Sequence, residues 1–267
     1  MPVWKLTVEY EGTRYRGWQE QKNARTIAGE IRLAAQDFLG CIIELSGSGR
    51  TDAGVHALAQ VARLKAEKPA RAADLVHALN DRLPADITIL KAEETRPGFH
   101  PRHDAFGRYY LYQVSTRRTA FAKRYVWWVK DTLDVERMRQ ASCAILGRHD
   151  FAAFCEKIEG ERSSVVVVQH VEVGVDGRLI LFRIGASHFL WKMVRRLVGT
   201  LVEVGRGSLS VSDFKGLLRP SHSISEARFD VAAHTAPPSG LFLESVAYNK
   251  GEGPGELVAA MPVRREQ

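Results

Sequence analysis

A chain of 267 residues is long for one compact pair of layers and short for three, so one large domain or two of medium size is expected. With 45% hydrophobic and 26% charged residues its composition is that of an ordinary globular protein, which excludes a disordered or fibrous chain. Lysine and arginine outnumber the acids 38 to 31, and the net charge of +7 favours a polyanionic partner, although basicity alone is a weak signal. No apolar run has the length of a membrane span. The first ten residues alternate and carry charge, so they read as a strand and not as an export signal. The three cysteines, Cys41, Cys143 and Cys155, are too scattered for a disulfide framework or a zinc site. A reduced, cytoplasmic protein with no membrane partner is the expectation.

In chain order, Trp4, Leu6, Val8 and Tyr10 alternate with polar residues as in a half-buried strand. Ile27, Ile31, Ala34 and Phe38 recur at helical spacing until Gly40 stops the run. Apolar stretches at Ile42 to Leu45 and Leu58 to Leu64 flank a glycine-rich loop. Leu75, Leu79 and Leu83 predict a helix ended by Pro84, followed by a strand from Ile87 to Leu90. The first half therefore reads βαββαβ. The turn-rich stretch Arg96 to Asp104 marks the best domain boundary.

Beyond it, Arg108 to Val114 reads as a strand with Tyr110 and Tyr112 on one face, and Val135 to Ile145 as a helix capped by Asp134. Val165 to Val175 and Leu179 to Ile184 predict a hairpin through Asp176-Gly177. Leu190 to Val202 carries the strongest helical stripe in the chain, with Lys192, Arg195 and Arg196 opposite it. A short helix near Asp213 to Leu218 and a strand from Leu241 to Tyr248 follow. The fold class expected is α+β, with two related βαββαβ-type domains, residues 1–104 and 105–248, whose antiparallel sheets lie side by side. Residues 249–267 read as a mobile tail.

The loop Gly47-Ser-Gly-Arg-Thr-Asp-Ala-Gly-Val-His56 invites a nucleotide-binding reading but fails it. A dinucleotide fingerprint needs glycine where Asp52 stands, and a P-loop needs lysine and a hydroxyl residue where Val55 and His56 stand. On spacing alone the loop is more readily a hairpin in which Asp52 accepts backbone hydrogen bonds. His100 and His103 flank a proline-containing segment without a third ligand, so no metal is expected. The aromatic signature of an RNA-recognition module is missing.

Taken together, several ordered stretches resemble the TruA family of tRNA pseudouridine synthases, which modifies the anticodon stem-loop. They are Tyr10-Glu-Gly-Thr with Gly17-Trp-Gln; Gly49-Arg-Thr-Asp-Ala-Gly-Val-His-Ala57 with Gln60-Val61; and Phe99-His-Pro-Arg102 with Ala105, Arg108, Tyr110 and Tyr112. Gly147 to Phe151, Phe189-Leu, Met193-Val-Arg195, Gly199-Thr-Leu, Glu203-Val-Gly205 and Gly240-Leu-Phe-Leu243 continue the match. Two details depart from it: Glu11 stands for the usual aspartate, and Val165 to Val168 lacks an arginine often found there.

The resemblance implies that Asp52 is the nucleophile, that Tyr110 is the active-site tyrosine, and that Arg195 is the cation that keeps Asp52 ionised. Arg50, Thr51, His56 and Tyr110 are the residues expected to hold substrate, with Arg50 filling the space of an extruded nucleotide. It further implies tRNA uridines at positions ~38 to 40 as substrate, a basic cleft between the two domains, and a homodimer. The isomerisation involves no net redox change and no donated group, so no cofactor is expected. A noncatalytic RNA-binding protein or tRNA folding chaperone is the alternative.

Overall fold

The computed structural model describes residues 1–156, 163–219 and 229–264. In chain order its strands and helices are β1 (Val3–Tyr10), α1 (Ile27–Leu39), β2 (Ile43–Gly47), β3 (His56–Ala66), α2 (Ala72–Asn80), β4 (Ile87–Glu94), β5 (Gly107–Ser115) and β6 (Trp127–Trp128). There follow α3 (Val135–Ser142), β7 (Gly147–Asp150), β8 (Val165–Asp176), β9 (Leu179–Ala186), α4 (Met193–Arg206), α5 (Val211–Gly216) and β10 (Leu241–Ala247). This is the α+β class expected. The chain forms two compact units, Met1–Phe106 with Phe242–Gly253, and Gly107–Leu241 with Pro254–Gln267. Among the described residues no helix is long and apolar enough to cross a membrane.

In the first unit β1 lies between β3 and β4, antiparallel to both, and β2 pairs antiparallel with β3. The alternation read in β1 is real: Trp4, Leu6, Val8 and Tyr10 are all buried, while their neighbours are less so. α1 begins at Thr26, whose side chain accepts the Gly29 N–H, and ends at Gly40, whose N–H reaches the Gln36 carbonyl. It buries Ile27, Ile31, Ala35 and Leu39, and α2 buries Leu75 and Leu79. Each isoleucine or leucine among them contributes about 1.5 to 3 kcal/mol on removal from water. β10 adds itself parallel to β3, with Phe242 opposite His56, an exception in a mostly antiparallel sheet.

In the second unit β5 pairs antiparallel with β9 over its whole length, β9 with β8 through the expected Asp176-Gly177 turn, and β8 with β7. The two-residue β6 runs parallel to β5, a second departure from antiparallel order. β6 and β7 are too short to show a period, which is why residue patterning misses them. α3 starts where Asp134 accepts the Arg137 N–H at 3.0 Å. α4 is buried along almost all of its length, including Arg196 and Glu203.

The tail read as mobile is docked over residues 254–264; residues 265–267 lie outside the described part. Arg183, buried in β9, donates to the carbonyls of Gly255 and Glu256 at 2.9 Å each, Met261 N–H reaches Gln113 at 3.2 Å, and Val263 is buried. Composition could not show this, because the partners that receive the tail lie some 75 to 150 residues earlier in the chain.

α4 carries Gly199 against the segment Val231–Ala236: a Cβ at Gly199 would stand 1.6 Å from the His234 carbonyl oxygen. Neither a helix backbone nor that carbonyl can yield by so much. Gly199→Ala should lower the urea-unfolding free energy by about 3 kcal/mol; a loss under about 1 kcal/mol would show that helix and segment separate freely.

Candidate active site

The Asp52 loop joins β2 to β3, and its two flanks are tied down by buried polar contacts. Ser48 donates its backbone N–H to the Val61 carbonyl at 2.8 Å and its hydroxyl to Gln60 Oε1 at 2.6 Å. Gln60, fully buried, returns its Nε2–H to the Gly49 carbonyl at 3.0 Å. Further along, Thr51 Oγ1 and Tyr10 Oη lie 2.8 Å apart, and the Thr51 carbonyl accepts the Trp18 N–H at 3.1 Å. Tyr10 ends β1 on the same buried face as Leu6 and Val8, where the pairing slips by one residue on the β3 side, from Val8 opposite Gln60 to Tyr10 opposite Ala57.

The loop closes on itself where Val55 N–H reaches the Asp52 carbonyl at 3.2 Å. Gly17 makes room for it: its φ of +91° suits glycine, and a Cβ there would stand 2.5 Å from the Thr51 carbonyl oxygen. His56 ends the loop, buried, with Nδ1 accepting the Gly12 N–H at 3.0 Å and its ring 4.9 Å from that of Phe242. Nδ1 is also 3.5 Å from Glu11 Oε1, but an imidazole nitrogen that accepts a backbone N–H has no proton there to share with the carboxylate.

The residues of this loop singled out in the sequence divide by exposure. Arg50 is exposed and Asp52 half-buried at the accessible part of the loop. Thr51 and His56 are buried, with Thr51 Oγ1 beside Tyr10 Oη and His56 Nδ1 accepting the Gly12 N–H, contacts that hold the loop. Sequence spacing could not separate these four, since neighbouring loop residues point in directions only packing decides.

Beside this loop is a recess of about 450 Å³ whose wall includes Arg14, Arg16 and Arg25 together with Ala53 and Gly54. Arg25 lies over the Tyr15 ring at 5.0 Å and pairs with Glu30 at 2.7 Å. The Tyr15 hydroxyl donates to Asp86, and burial together with that carboxylate pushes its pKa well above the usual tyrosine range. These arginines stand next to a carboxylate-bearing loop, an arrangement suited to an anionic ligand. Residue patterning missed this site because Arg14, Arg16 and Arg25 fall in a segment without periodicity.

In the second unit Tyr110 sits on β5, mostly buried, with its ring edge-on to Phe189 at 5.0 Å. Tyr112, two residues on and on the same face, is fully buried and donates its hydroxyl to the Pro237 carbonyl at 2.7 Å. Burial holds its pKa far above the usual value, against the opposing pull of the Arg195 cation. Arg195, in the first turn of α4, donates Nε–H to the Ala236 carbonyl at 2.7 Å, while the Ala236 N–H returns to the Arg195 carbonyl at 3.1 Å.

The segment Ala236-Pro237 is thus gripped from β5 and from α4. Lys192 and Arg196, read with Arg195 as one basic face, instead converge on Glu156, and Arg196 also donates to the Cys155 carbonyl. Of the three, Arg195 is the one outside that ion pair.

Among the described residues no three His, Cys, Asp or Glu side chains gather as a metal site. The His100 and His103 rings lie 4.2 Å apart, but His100 Nδ1 accepts the backbone N–H groups of Arg102 and His103 at 3.2 and 3.3 Å.

Residues 6–104 and 141–249 match the model of a family described as tRNA pseudouridine synthase. A protein of Myxococcus xanthus named tRNA pseudouridine synthase A is 40% identical over 258 residues, 94% of each chain. One of the same name from Brucella ovis is 40% identical over 254 residues, 93% of this chain and 98% of its own. A solved structure described as an H/ACA RNP bound to a substrate RNA containing 2'-deoxyuridine aligns over 74% of this chain and 44% of that one; at 14% identity and a TM-score of 0.36 it is too distant to bear on the site. With a pinned, carboxylate-bearing loop inside the first matched segment and relatives aligned along nearly its whole length, the chain belongs to the tRNA pseudouridine synthase family.

Proposed function

We propose that this enzyme isomerises uridines of the tRNA anticodon stem-loop, at positions ~38 to 40, with Asp52 as nucleophile. The observation that carries the reading is a half-buried carboxylate on a loop held rigid from both flanks, beside a recess lined by three arginines. The reaction breaks the bond from N1 of uracil to C1′ of ribose and forms one from C5 to C1′. The C5 proton leaves and N1 gains one, so atoms and electrons balance within the nucleotide. A carboxylate held in place lowers the entropic part of that barrier, because it need not be ordered at each turnover.

A uridine stacked in a stem cannot offer its glycosidic bond to a side chain, so the nucleotide is extruded. Arg50, exposed at the same loop, is suited to occupy the gap. Thr51 and His56 act as positioning residues for the loop. Tyr110 is assigned the face of the uracil and Arg195 the counter-charge, roles that the sequence resemblance implies. Arg14, Arg16 and Arg25 favour backbone phosphates over base edges, in keeping with recognition by shape. A homodimer acting in the cytoplasm completes the reading.

Tritium release from tRNA labelled at C5 of uridine tests the chemistry. Asp52→Ala should abolish release while tRNA binding persists, and activity within about tenfold of the wild type would overturn the nucleophile. Binding titrations at several salt concentrations test the recess. Arg14→Ala combined with Arg16→Ala should lower the slope of log Kd against log salt by about 1.5, and an unchanged slope would remove these arginines from the RNA interface.

A further inference from the structure

The turn between β5 and β6 joins features that the proposed chemistry does not use. From Thr116 to Lys130 the chain carries Arg117, Arg118, Lys123, Arg124 and Lys130 and not one acidic residue. At its tip the Phe121 side chain is 98% exposed. A single exposed apolar side chain is ordinary; an aromatic presented on a fixed turn among cations is not.

The turn is well held. Ala122, next to Phe121, is buried, and its N–H reaches Thr119 Oγ1 at 3.3 Å while its carbonyl accepts the Tyr125 N–H at 2.8 Å. The fully buried Gln113 donates to the Tyr125 carbonyl at 2.9 Å, and Ser239 donates to that of Val126 at 3.2 Å. Val129 N–H returns to the Ser115 carbonyl at 3.0 Å. The chain thus turns Ala122 inward and leaves Phe121 outward because the backbone on both sides is bonded to the sheet. Arg118 extends over the Trp128 ring at 5.8 Å, which keeps its guanidinium close to the turn.

A preformed turn costs little ordering entropy on binding. An exposed ring offers a flat apolar face, and the surrounding cations exclude cationic partners and favour a polyanion. Stacking of bases on aromatic rings beside a basic track is the general mode of single-stranded nucleic-acid binding. We infer that residues 117–124 form an RNA contact in which Phe121 stacks on an unpaired base while Arg118 and Lys123, with Arg124 beside them, hold adjacent phosphates. The inference rests on the reading of the enzyme as acting on tRNA, which supplies loops with unpaired bases, but it does not depend on Asp52.

The test is equilibrium binding of unmodified tRNA to the full-length protein, with tritium release measured in parallel. Phe121→Ala should weaken Kd about tenfold with kcat at saturating tRNA unchanged, and Phe121→Trp should restore it. Phe121→Leu should remain weak, because a leucine keeps the apolar area but not the stacking face. Arg118→Ala with Lys123→Ala should lower the salt slope by about 1.5. Since Phe121 is exposed, an unchanged melting temperature excludes misfolding as the cause.

Binding of Phe121→Ala within about twofold of the wild type overturns the contact. So does full recovery with leucine, or a change confined to the sedimentation of the protein alone, which would assign the face to a second copy. A wild-type protein that binds tRNA but releases no tritium defeats the catalytic reading and leaves these binding comparisons standing.

Discussion

The buried hydroxyl pair between Tyr10 and Thr51, with the Ser48–Gln60 contact on the opposite flank, is the interaction on which the site depends. A loop rich in glycine has much conformational entropy to lose, of the order of 1 to 2 kcal/mol per residue fixed. Hydrogen bonds made in water would return little of it. Here both pairs lie out of solvent, where an unmade bond leaves a desolvated polar group at a cost of about 1 to 3 kcal/mol. The loop therefore has one favoured arrangement. Asp52, between the two anchors, inherits a fixed position although its own side chain is only half-buried.

The same economy of polar groups organises the second unit. The carbonyls of Ala236 and Pro237 are taken by Arg195 and Tyr112, from α4 and β5 respectively. Gly199 allows α4 to come within contact of the His234 backbone, and that approach sets where the first turn of the helix, and hence Arg195, sits. The buried Tyr112 phenol is strongly disfavoured as an anion, so it remains a donor to Pro237 and is not suited to proton transfer. Tyr110 is also mostly buried, with its ring perpendicular to that of Phe189.

Charge in this protein is used in two distinct ways. Lys192 and Arg196 are taken up within the fold by Glu156, and Arg183 by the tail backbone, so they support structure. Arg14, 3.9 Å from Asp86 but largely exposed, and Arg16 stand on the recess wall, and Arg118 and Lys123 at the turn before β6. A net charge of +7 counts all of them alike. Which cations remain available to an anion depends on which carboxylates and carbonyls the fold brings near, so basicity alone is a weak signal.

Local patterning determined much of the architecture. The alternation of β1, the stripe of α1, the Asp134 cap of α3 and the Asp176-Gly177 turn were legible because strand period, helix period and cap chemistry act within a few residues. The ordered motifs around Asp52 determined the family for the same reason: they are contiguous in the chain. What only the tertiary structure decided is everything that pairs distant residues. It buried Thr51 and His56 and left Arg50 outside, turned β10 parallel to β3, drew Lys192 and Arg196 to Glu156, and docked a glycine-rich tail on Arg183. A side chain's composition and spacing set what bonds it can make. Which bonds it does make is settled by the neighbours that packing supplies, from β1 for Thr51 and from the end of the chain for Arg183.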